Sequence, residues 1–280
     1  MATCWLNGKF LPEDQAHVSI FDRGLLFGDG VYEVAAVFNG RLLDADLHLA
    51  RLEKSLAAIS IPNPQPASAW LEIMQSLAEQ NGISEGLVYL QVTRGAAERD
   101  FAFPANVTPT AFAFARKKTL TNDPNAKGIV LHAVQDIRWA RRDIKSVAML
   151  AQVLAKQEAK AAGAFEAIMH DRGVVTEGGS SNLWIVQKGT ALTRPLSHSI
   201  LAGITRDVTL ELAAMGVPVI ERAFTLDDVR SADEAFMTSA TNFILPAVRL
   251  DDSVIANGEP GPITVRLRDA YFARAHAKTT

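Results

Sequence analysis

A polar segment near the middle of the chain is the feature that most constrains the fold. Residues 117–128 read KKTLTNDPNAKG, a stretch with few apolar side chains that proline and glycine punctuate. Segments of this composition commonly join domains, because few core contacts cross them. The sequence therefore predicts a small N-terminal domain over 1–116, a linker over 117–128 and a large C-terminal domain over 129–280. Ligand pockets often lie between domains, and we expect the site in that crevice.

The N-terminal part alternates between strand-like and helix-like patterns. Residues 31–38, which are apolar or aromatic except for Glu33, lead into Asn39-Gly40, the strongest short hairpin signal, and residues 41–43 return. Asp44 is predicted to cap a helix with apolar residues at helical spacing, which the proline-rich residues 61–66 end. One helix and two further strands are predicted in this part, over 67–80, 87–93 and 109–116.

The C-terminal part also mixes strands and helices, without repeats or low-complexity tracts. Strands are predicted over 129–135, 166–170, 182–187, 217–222 and 234–238. Helices are predicted over 147–162, 205–215 and 225–231. The fold class that follows is a two-domain α/β protein of the mixed (α+β) kind.

Composition excludes several classes of protein. Hydrophobic residues make up 48% and charged residues 21% of the chain, as in ordinary globular enzymes. A net charge of −3 gives no electrostatic reason to expect nucleic acid or an anionic membrane as partner. Cys4 is the only cysteine, which excludes an internal disulfide and suits a reducing cytoplasm. No signal peptide and no run of 18 apolar residues is visible, so we expect a cytoplasmic protein.

Lys145 is the first residue that could carry chemistry. It stands where residues 141–146 pass into an Ala/Leu-rich stretch, which predicts a position at a helix N-terminus. The helix dipole, with Arg141 and Arg142 nearby, would lower the pKa of its amine and favour nucleophilic attack. The alternative is a solvated surface lysine, which spacing alone favours.

Glu177 and the start of a later helix are two further signals. Glu177 is followed by glycines and serines, which would let its carboxylate approach a flat ring closely and pair with a pyridinium nitrogen. A common turn with an exposed glutamate explains the same residues. Gly203-Ile204-Thr205 opens a predicted helix whose free N–H groups could hold a phosphate, with Arg51 as a further cation. A plain capped helix and a surface arginine are the alternatives.

Other catalytic patterns are missing from the sequence. It contains no G-x-S-x-G elbow, no P-loop lysine motif and no H-E-x-x-H pair. The six histidines never recur at i, i+4 spacing, so no metal site is predicted.

Each signal is weak alone, but their order along the chain resembles that of the fold-type IV pyridoxal-phosphate (PLP) enzymes. That group holds D-amino acid aminotransferases, branched-chain aminotransferases and aminodeoxychorismate lyases. The resemblance runs from about residue 5 to 248, and two segments are similar to the D-amino acid branch in particular, 91–95 and 157–160. The segments that carry the general resemblance are 26–34, the helix with Arg51, 143–146, 175–178, 181–182 and 203–206.

The resemblance implies a role for each matching residue. Lys145 would form a Schiff base with the cofactor pyridoxal 5′-phosphate and then move the proton of the substrate. Glu177 would pair with the pyridine nitrogen, Arg138 would lie near the phenolic oxygen, and Leu201 against the ring. The phosphate would be held by Arg51, Gly203, Ile204, Thr205, Ser239, Ala240 and Thr241.

The resemblance also implies how a substrate carboxylate is recognised. Tyr32 and Arg99 match two carboxylate-binding residues of D-amino acid aminotransferases, and Val34 matches a pocket-lining position. Phe101 stands where that branch has a histidine, so one hydrogen-bond donor is lost, worth about 1.5–3 kcal/mol if nothing replaces it. An ion pair of Arg99 with Asp100 is the alternative for that arginine. Ser180 and Ser181 are further predicted substrate contacts.

The resulting expectation is a transaminase that moves the amino group of a D-amino acid such as D-alanine to a 2-oxo acid. A homodimer is implied, because in this family the loop that carries Arg99 reaches the site of the other subunit. An R-selective amine transaminase and a branched-chain L-aminotransferase are alternatives, although residues 146–150 lack the tyrosine usual in the L-specific branch. An aminodeoxychorismate lyase is less favoured, and a non-catalytic protein that binds a phosphorylated ligand would need no Schiff base.

Overall fold

The computed structural model describes residues 2–120 and 127–279, which form two compact units. The first unit comprises Met1–Thr119, Ile144–Ala148 and His276–Thr280; the second comprises Leu120–Asp143 and Met149–Ala275. Residues 121–126 of the predicted linker lie outside the described residues, so the predicted domain boundaries stay a prediction. The mixed α/β fold class is confirmed. No helix within the described ranges has the length and hydropathy needed to cross a membrane.

The first unit is a six-stranded antiparallel sheet with helices packed against it. The strand order is β2-β1-β6-β5-β3-β4. Its elements are β1 (Thr3–Leu6), β2 (Lys9–Pro12), a 3₁₀ turn (Glu13–Gln15), α1 (Arg23–Phe27), β3 (Gly30–Phe38), β4 (Arg41–Leu42), α2 (Ala45–Ala58), α3 (Ala67–Gln80), β5 (Gly86–Thr93) and β6 (Thr110–Lys117).

The core of the first unit lies between the sheet and the helices α2 and α3. Leu52 and Leu56 of α2 and Trp70 of α3 pack with Val31 and Leu90 of the sheet, and all five are buried. Alternate residues of a strand face opposite sides of the sheet. In β3, Val31 and Glu33 face the core. Tyr32 and Val34, two of the predicted substrate residues, are half-buried on the other face.

The second unit is built on a nine-stranded mixed sheet. Eight strands follow the order β12-β11-β10-β13-β14-β7-β8-β9, and β15 pairs with β14. Its elements are β7 (Ile129–Gln135), α4 (Leu150–Ala161), β8 (Glu166–Asp171), β9 (Val174–Gly178), β10 (Asn182–Gln187), β11 (Thr190–Thr193), α5 (Ile204–Ala213), β12 (Val219–Glu221), α6 (Leu226–Arg230), β13 (Glu234–Ser239), β14 (Phe243–Leu250), β15 (Ser253–Val254) and α7 (Pro262–Thr279). The last residues of α7, from His276, belong to the first unit.

The structure corrects two local predictions. Asp44 occupies the N-cap position of α2, but its side chain makes no capping bond and instead accepts a hydrogen bond from Lys278 Nζ at 2.8 Å. The helix predicted over 147–162 begins only at Leu150, so Lys145 does not stand at a helix N-terminus. The reason is that Ile144–Ala148 pairs with the sheet of the first unit before the helix starts.

Candidate active site

Lys145 lies in an extended segment bonded to the beginning of β3. The Tyr32 N–H donates to the Lys145 carbonyl at 3.0 Å, and the Val147 N–H donates to the Gly30 carbonyl at 3.0 Å. The Lys145 N–H donates to Ser55 Oγ on α2 at 3.3 Å. Backbone bonds on both sides therefore fix the residue, and the helix-dipole argument for its reactivity was wrong.

The Lys145 side chain lies over an aromatic ring. Its Nζ is 4.1 Å from the centroid of Tyr32, which in turn stacks on Tyr89 with centroids 5.5 Å apart. A cation over the face of a tyrosine is attracted by the ring quadrupole. Val34 follows Tyr32 on the same face of β3, half-buried, so the two predicted substrate residues share one surface with the amine.

Arg51 is held on the opposite face of β3 by a buried carboxylate. Its Nε and Nη2 donate to the two Glu33 oxygens at 2.7 and 2.8 Å, and His48 Nδ1 lies 2.7 Å from Glu33 Oε2. Burial alone would raise the pKa of Glu33, but the attraction of Arg51 and the hydrogen bonds of Arg51 and His48 hold it far below its ordinary value. Arg51 is thus oriented by a full ion pair, and its phosphate role stays a prediction.

Arg99 and Phe101 lie in the loop between β5 and β6. The Arg99 guanidinium is 5.3 Å from the Phe27 ring centroid and 5.7 Å from that of Phe101. No carboxylate pairs with Arg99 among residues 2–120 and 127–279, so the alternative ion pair with Asp100 is absent there. Arg99 is an exposed residue, and its guanidinium lies near the faces of two aromatic rings.

Glu177, the penultimate residue of β9, lies at the centre of a polar network in the second unit. Arg138 Nη1 donates to Glu177 Oε1 at 2.5 Å, and the Leu201 N–H and Asn182 Nδ2 both donate to Glu177 Oε2 at 3.0 Å. Arg138 also donates to both oxygens of Asp136, at 3.0 and 2.7 Å. The predicted residues Glu177, Arg138 and Leu201 therefore meet, and Asp136 fixes the arginine between two carboxylates.

The two carboxyls of this network differ in their electrostatics. Burial raises the pKa of Glu177 above its ordinary value, because the loss of hydration outweighs the attraction of Arg138. Burial would also raise the pKa of Asp136, but the hydrogen bonds and charge of Arg138 lower it. A cationic ring beside Glu177 would supply the attraction that the buried glutamate needs.

The start of α5 approaches the same network. Gly203 is the N-cap of α5, with no side-chain cap, and Ile204 and Thr205 form its first turn. A Cβ on Gly203 would come within 2.0 Å of Asn182 Oδ1, so only glycine allows this approach. Asn182 Nδ2 also donates to the Leu201 carbonyl at 3.0 Å, which ties the loop before α5 to the carboxylate of Glu177.

Two buried polar atoms near these residues have no hydrogen-bond partner in the described parts of the chain. They are Ser181 Oγ and Arg142 Nε. Ser180 is engaged, because its hydroxyl donates to the buried carboxylate of Glu166 at 3.0 Å. Buried polar groups are nearly always bonded, so the two free atoms indicate a site for a polar ligand. Ser239 ends β13, Ala240 and Thr241 follow it in the turn before β14, and α5 packs against β13.

Four residues of these networks were not predicted as site residues: Glu33, His48, Asp136 and Asn182. Asn182 belongs to a segment that the resemblance included, and Asp136 stands two residues before Arg138 at the end of a predicted strand. Those positions could have suggested both. Glu33 also lies in a segment that the resemblance included, 26–34, but no sequence signal marks its bond with His48.

Comparisons with known proteins place this chain. The family described as Amino-transferase class IV matches residues 30–250. D-alanine aminotransferase of Staphylococcus aureus (strain MSSA476) is 38% identical over 273 residues, 97% of each chain, and that of Bacillus licheniformis is 40% identical over 267 residues, 94% of each chain.

Solved structures share the fold over the full length. The branched-chain amino acid aminotransferase of Escherichia coli superposes with a TM-score of 0.93 at 25% identity, covering 100% of this chain and 96% of that one. The branched-chain amino acid aminotransferase of T.th., solved with pyridoxamine 5′-phosphate, gives a TM-score of 0.92 at 26% identity, with 99% and 95% covered. The chain belongs to the class IV aminotransferases.

Proposed function

We propose that this aminotransferase moves the amino group of a D-amino acid, such as D-alanine, to a 2-oxo acid with PLP as cofactor. The observation that carries the proposal is the similarity to D-alanine aminotransferases at 38% and 40% identity over nearly the whole length of both chains. The branched-chain relative solved with pyridoxamine 5′-phosphate supports the cofactor.

The polar network of the second unit fits this cofactor. Glu177 is a buried carboxyl whose pKa is raised, because Arg138 offsets only part of the cost of burial. Ser181 Oγ has no hydrogen-bond partner among the described residues. The first N–H groups of α5 follow Gly203, an N-cap residue without a side-chain cap. Glu177 would hold the ring nitrogen in its protonated form, Arg138 would lie near the phenolic oxygen and Leu201 would contact the ring. The phosphate would be held by Arg51, Gly203, Ile204, Thr205, Ser239, Ala240 and Thr241.

When bound, PLP supplies an aldehyde that captures amines and a ring that delocalises the electron pair left by loss of the Cα proton. Lys145 would be the amine that holds this aldehyde in the resting enzyme. Its Nζ would then move the proton from the substrate Cα to the former aldehyde carbon of the cofactor, acting first as a general base and then as a general acid. Tyr32 supports this role by its ring, which keeps the amine at a defined place.

Recognition of the substrate falls to residues of the first unit. Arg99 and the Tyr32 hydroxyl bind the α-carboxylate, and Val34 lines the pocket. Ser180 and Ser181 are proposed as further substrate contacts, although Ser180 already bonds to Glu166. We propose that the protein is a homodimer in which Arg99 of one subunit contributes to the site of the other. We also propose that it is cytoplasmic, because its single cysteine suits a reducing compartment.

An R-selective amine transaminase is a second candidate, because Phe101 brings no hydrogen-bond donor to the carboxylate. Half-reactions of the PLP form with D-alanine, L-leucine, D-glutamate and R-1-phenylethylamine, followed by absorbance, separate the two. D-alanine is expected to react fastest. A faster reaction with R-1-phenylethylamine would favour the R-selective amine transaminase. A faster reaction with L-leucine would contradict both candidate functions.

A further inference from the structure

Arg23 at the start of α1 is a buried arginine whose bonds converge on one loop. It is 3% exposed. Its Nη1 donates to the Asp100 carbonyl at 2.6 Å and to the Ala102 carbonyl at 3.4 Å, and Nη2 donates to the Phe101 carbonyl at 3.4 Å. The planar guanidinium, with five donors in a fixed fork, thus spans three consecutive peptides. Arg23 fixes the backbone around the residue that replaces the family histidine.

Asp29 completes this anchor as the shared carboxylate of two arginines. Asp29 Oδ2 accepts from Arg23 Nε at 2.8 Å and from Arg94 Nε at 2.8 Å, while Oδ1 accepts from Arg94 Nη2 at 3.0 Å. Burial would raise the pKa of Asp29, but the hydrogen bonds of Arg94 and Arg23 lower it. The Phe103 ring lies 3.6 Å from the Arg94 guanidinium carbon. Both ends of 100–103 are therefore tied to one ionic cluster.

The same helix carries the aromatic contact of Arg99. Phe27, the last residue of α1, packs on Phe101 with ring centroids 5.5 Å apart, and the Arg99 guanidinium lies near both rings. Arg23 also lies over the Phe27 ring at 4.7 Å. A change in the backbone of 100–102 would move Phe101 and, with it, one of the two faces that orient Arg99.

We propose that Arg23 and Asp29 are positioning residues for substrate specificity: they hold residues 99–103 so that Arg99 presents its guanidinium to a carboxylate. This inference rests on the proposed function of Arg99. Neither residue touches the substrate. Because Phe101 donates no hydrogen bond, the rigidity of this loop replaces part of the recognition that a histidine would supply.

A purely structural role makes a different prediction from a positioning role. Loss of an anchor that only stabilises the fold lowers the melting temperature and leaves the ratio of KM to kcat unaltered. Loss of a positioning anchor raises KM for substrates with an α-carboxylate and frees the amides of 99–103 to exchange with solvent.

The test compares Arg23→Lys and Asp29→Asn with the control Arg116→Lys in the PLP-loaded enzyme. Lysine is a point charge that cannot span three carbonyls. Asparagine has the same shape as Asp29, so Asp29→Asn provides the test if Arg23→Lys fails to fold. Arg116 pairs with Glu13 on the surface of the same unit, half-exposed. Steady-state kinetics with D-alanine and hydrogen exchange of the loop amides are measured together.

We expect KM for D-alanine to rise about tenfold in Arg23→Lys and Asp29→Asn, as for partial loss of a bond to a charged group. We expect kcat to stay within about twofold and loop exchange to become faster, with neither change in Arg116→Lys. Unchanged exchange in both variants overturns the anchor, and faster exchange with unchanged KM overturns its link to the carboxylate. A wild type inactive on every D-amino acid contradicts the proposed function instead, and the exchange data still decide whether the anchor exists.

Discussion

The ammonium group of Lys145 lies 4.1 Å from the centroid of the Tyr32 ring, while the backbones of the same two residues share a hydrogen bond of 3.0 Å. Tyr32 of β3 therefore helps to fix the position of both the backbone and the side chain of the proposed catalytic lysine. The ring face contributes about 0.5–1 kcal/mol at an exposed site and restricts where the amine can be. The Tyr32 hydroxyl has no hydrogen-bond partner within residues 2–120 and 127–279, which is consistent with its proposed bond to a substrate carboxylate.

Tyr32→Phe separates the ring from the hydroxyl. The ring stays under Lys145, so cofactor attachment and kcat should change little. KM for D-alanine should rise about tenfold or more, because a hydrogen bond to a charged group is lost. Steady-state kinetics check this, and an unchanged KM would show that the hydroxyl does not bind the carboxylate.

Glu33→Gln tests the buried ion pair with Arg51. Removing one partner leaves a buried charge uncompensated, so the free energy of unfolding should fall by about 3 kcal/mol and the Kd for PLP should rise. Urea denaturation of the apo-protein and a cofactor titration measure the two effects. The matched control is Glu13→Gln, whose half-exposed pair with Arg116 should contribute less than about 1 kcal/mol.

Glu33→Gln should also change the pH dependence of the free energy of unfolding. The pKa of Glu33 is lower in the folded state than in the unfolded chain, where it is near 4.3. Its contribution is therefore present above about pH 4.3 and lost as the pH falls toward the folded pKa. The acid limb of stability should be shallower in Glu33→Gln than in the wild type, and equal limbs would contradict the assigned ion pair.

Glu177→Gln should leave the cofactor bound and slow the proton-transfer step roughly 100-fold, since an anionic partner of the ring nitrogen is lost. The pKa of Glu177 is raised by folding, so its favourable contribution exists below about pH 4.3 and is lost as the pH rises through the folded pKa. The apo-variant should therefore be no less stable than the wild type at neutral pH. Stopped-flow half-reactions with D-alanine give the rate, and unaltered turnover would contradict the role of Glu177.

Phe101→His restores the donor of the D-amino acid branch. Phe101 is 80% exposed, so the smaller ring creates no cavity. If the missing donor limits binding, KM for D-alanine should fall about tenfold. No gain would show that the ordered loop around Arg99 already compensates for the histidine.

Local patterns predicted much of the fold. The Asn39-Gly40 turn has positive φ at both residues, 50° and 75°, as a type I′ hairpin requires, and α3 covers the residues predicted for it. The failures depend on distant partners. The Asp44 carboxylate accepts a hydrogen bond from Lys278, 234 positions away, and does not cap α2. The segment that contains Lys145 pairs with β3, so the next helix begins only after it. The Glu33–Arg51 pair joins a strand to a helix, and no periodicity reveals it.

Borohydride reduction of the yellow holoenzyme, followed by digestion and mass spectrometry, tests the central claim most directly. Lys145→Ala, treated in parallel, should carry no reduced cofactor. The pyridoxyl group is predicted on the peptide that contains Lys145. A pyridoxyl group on any other peptide of the wild type, or a wild type that stays colourless after incubation with PLP, would contradict the account.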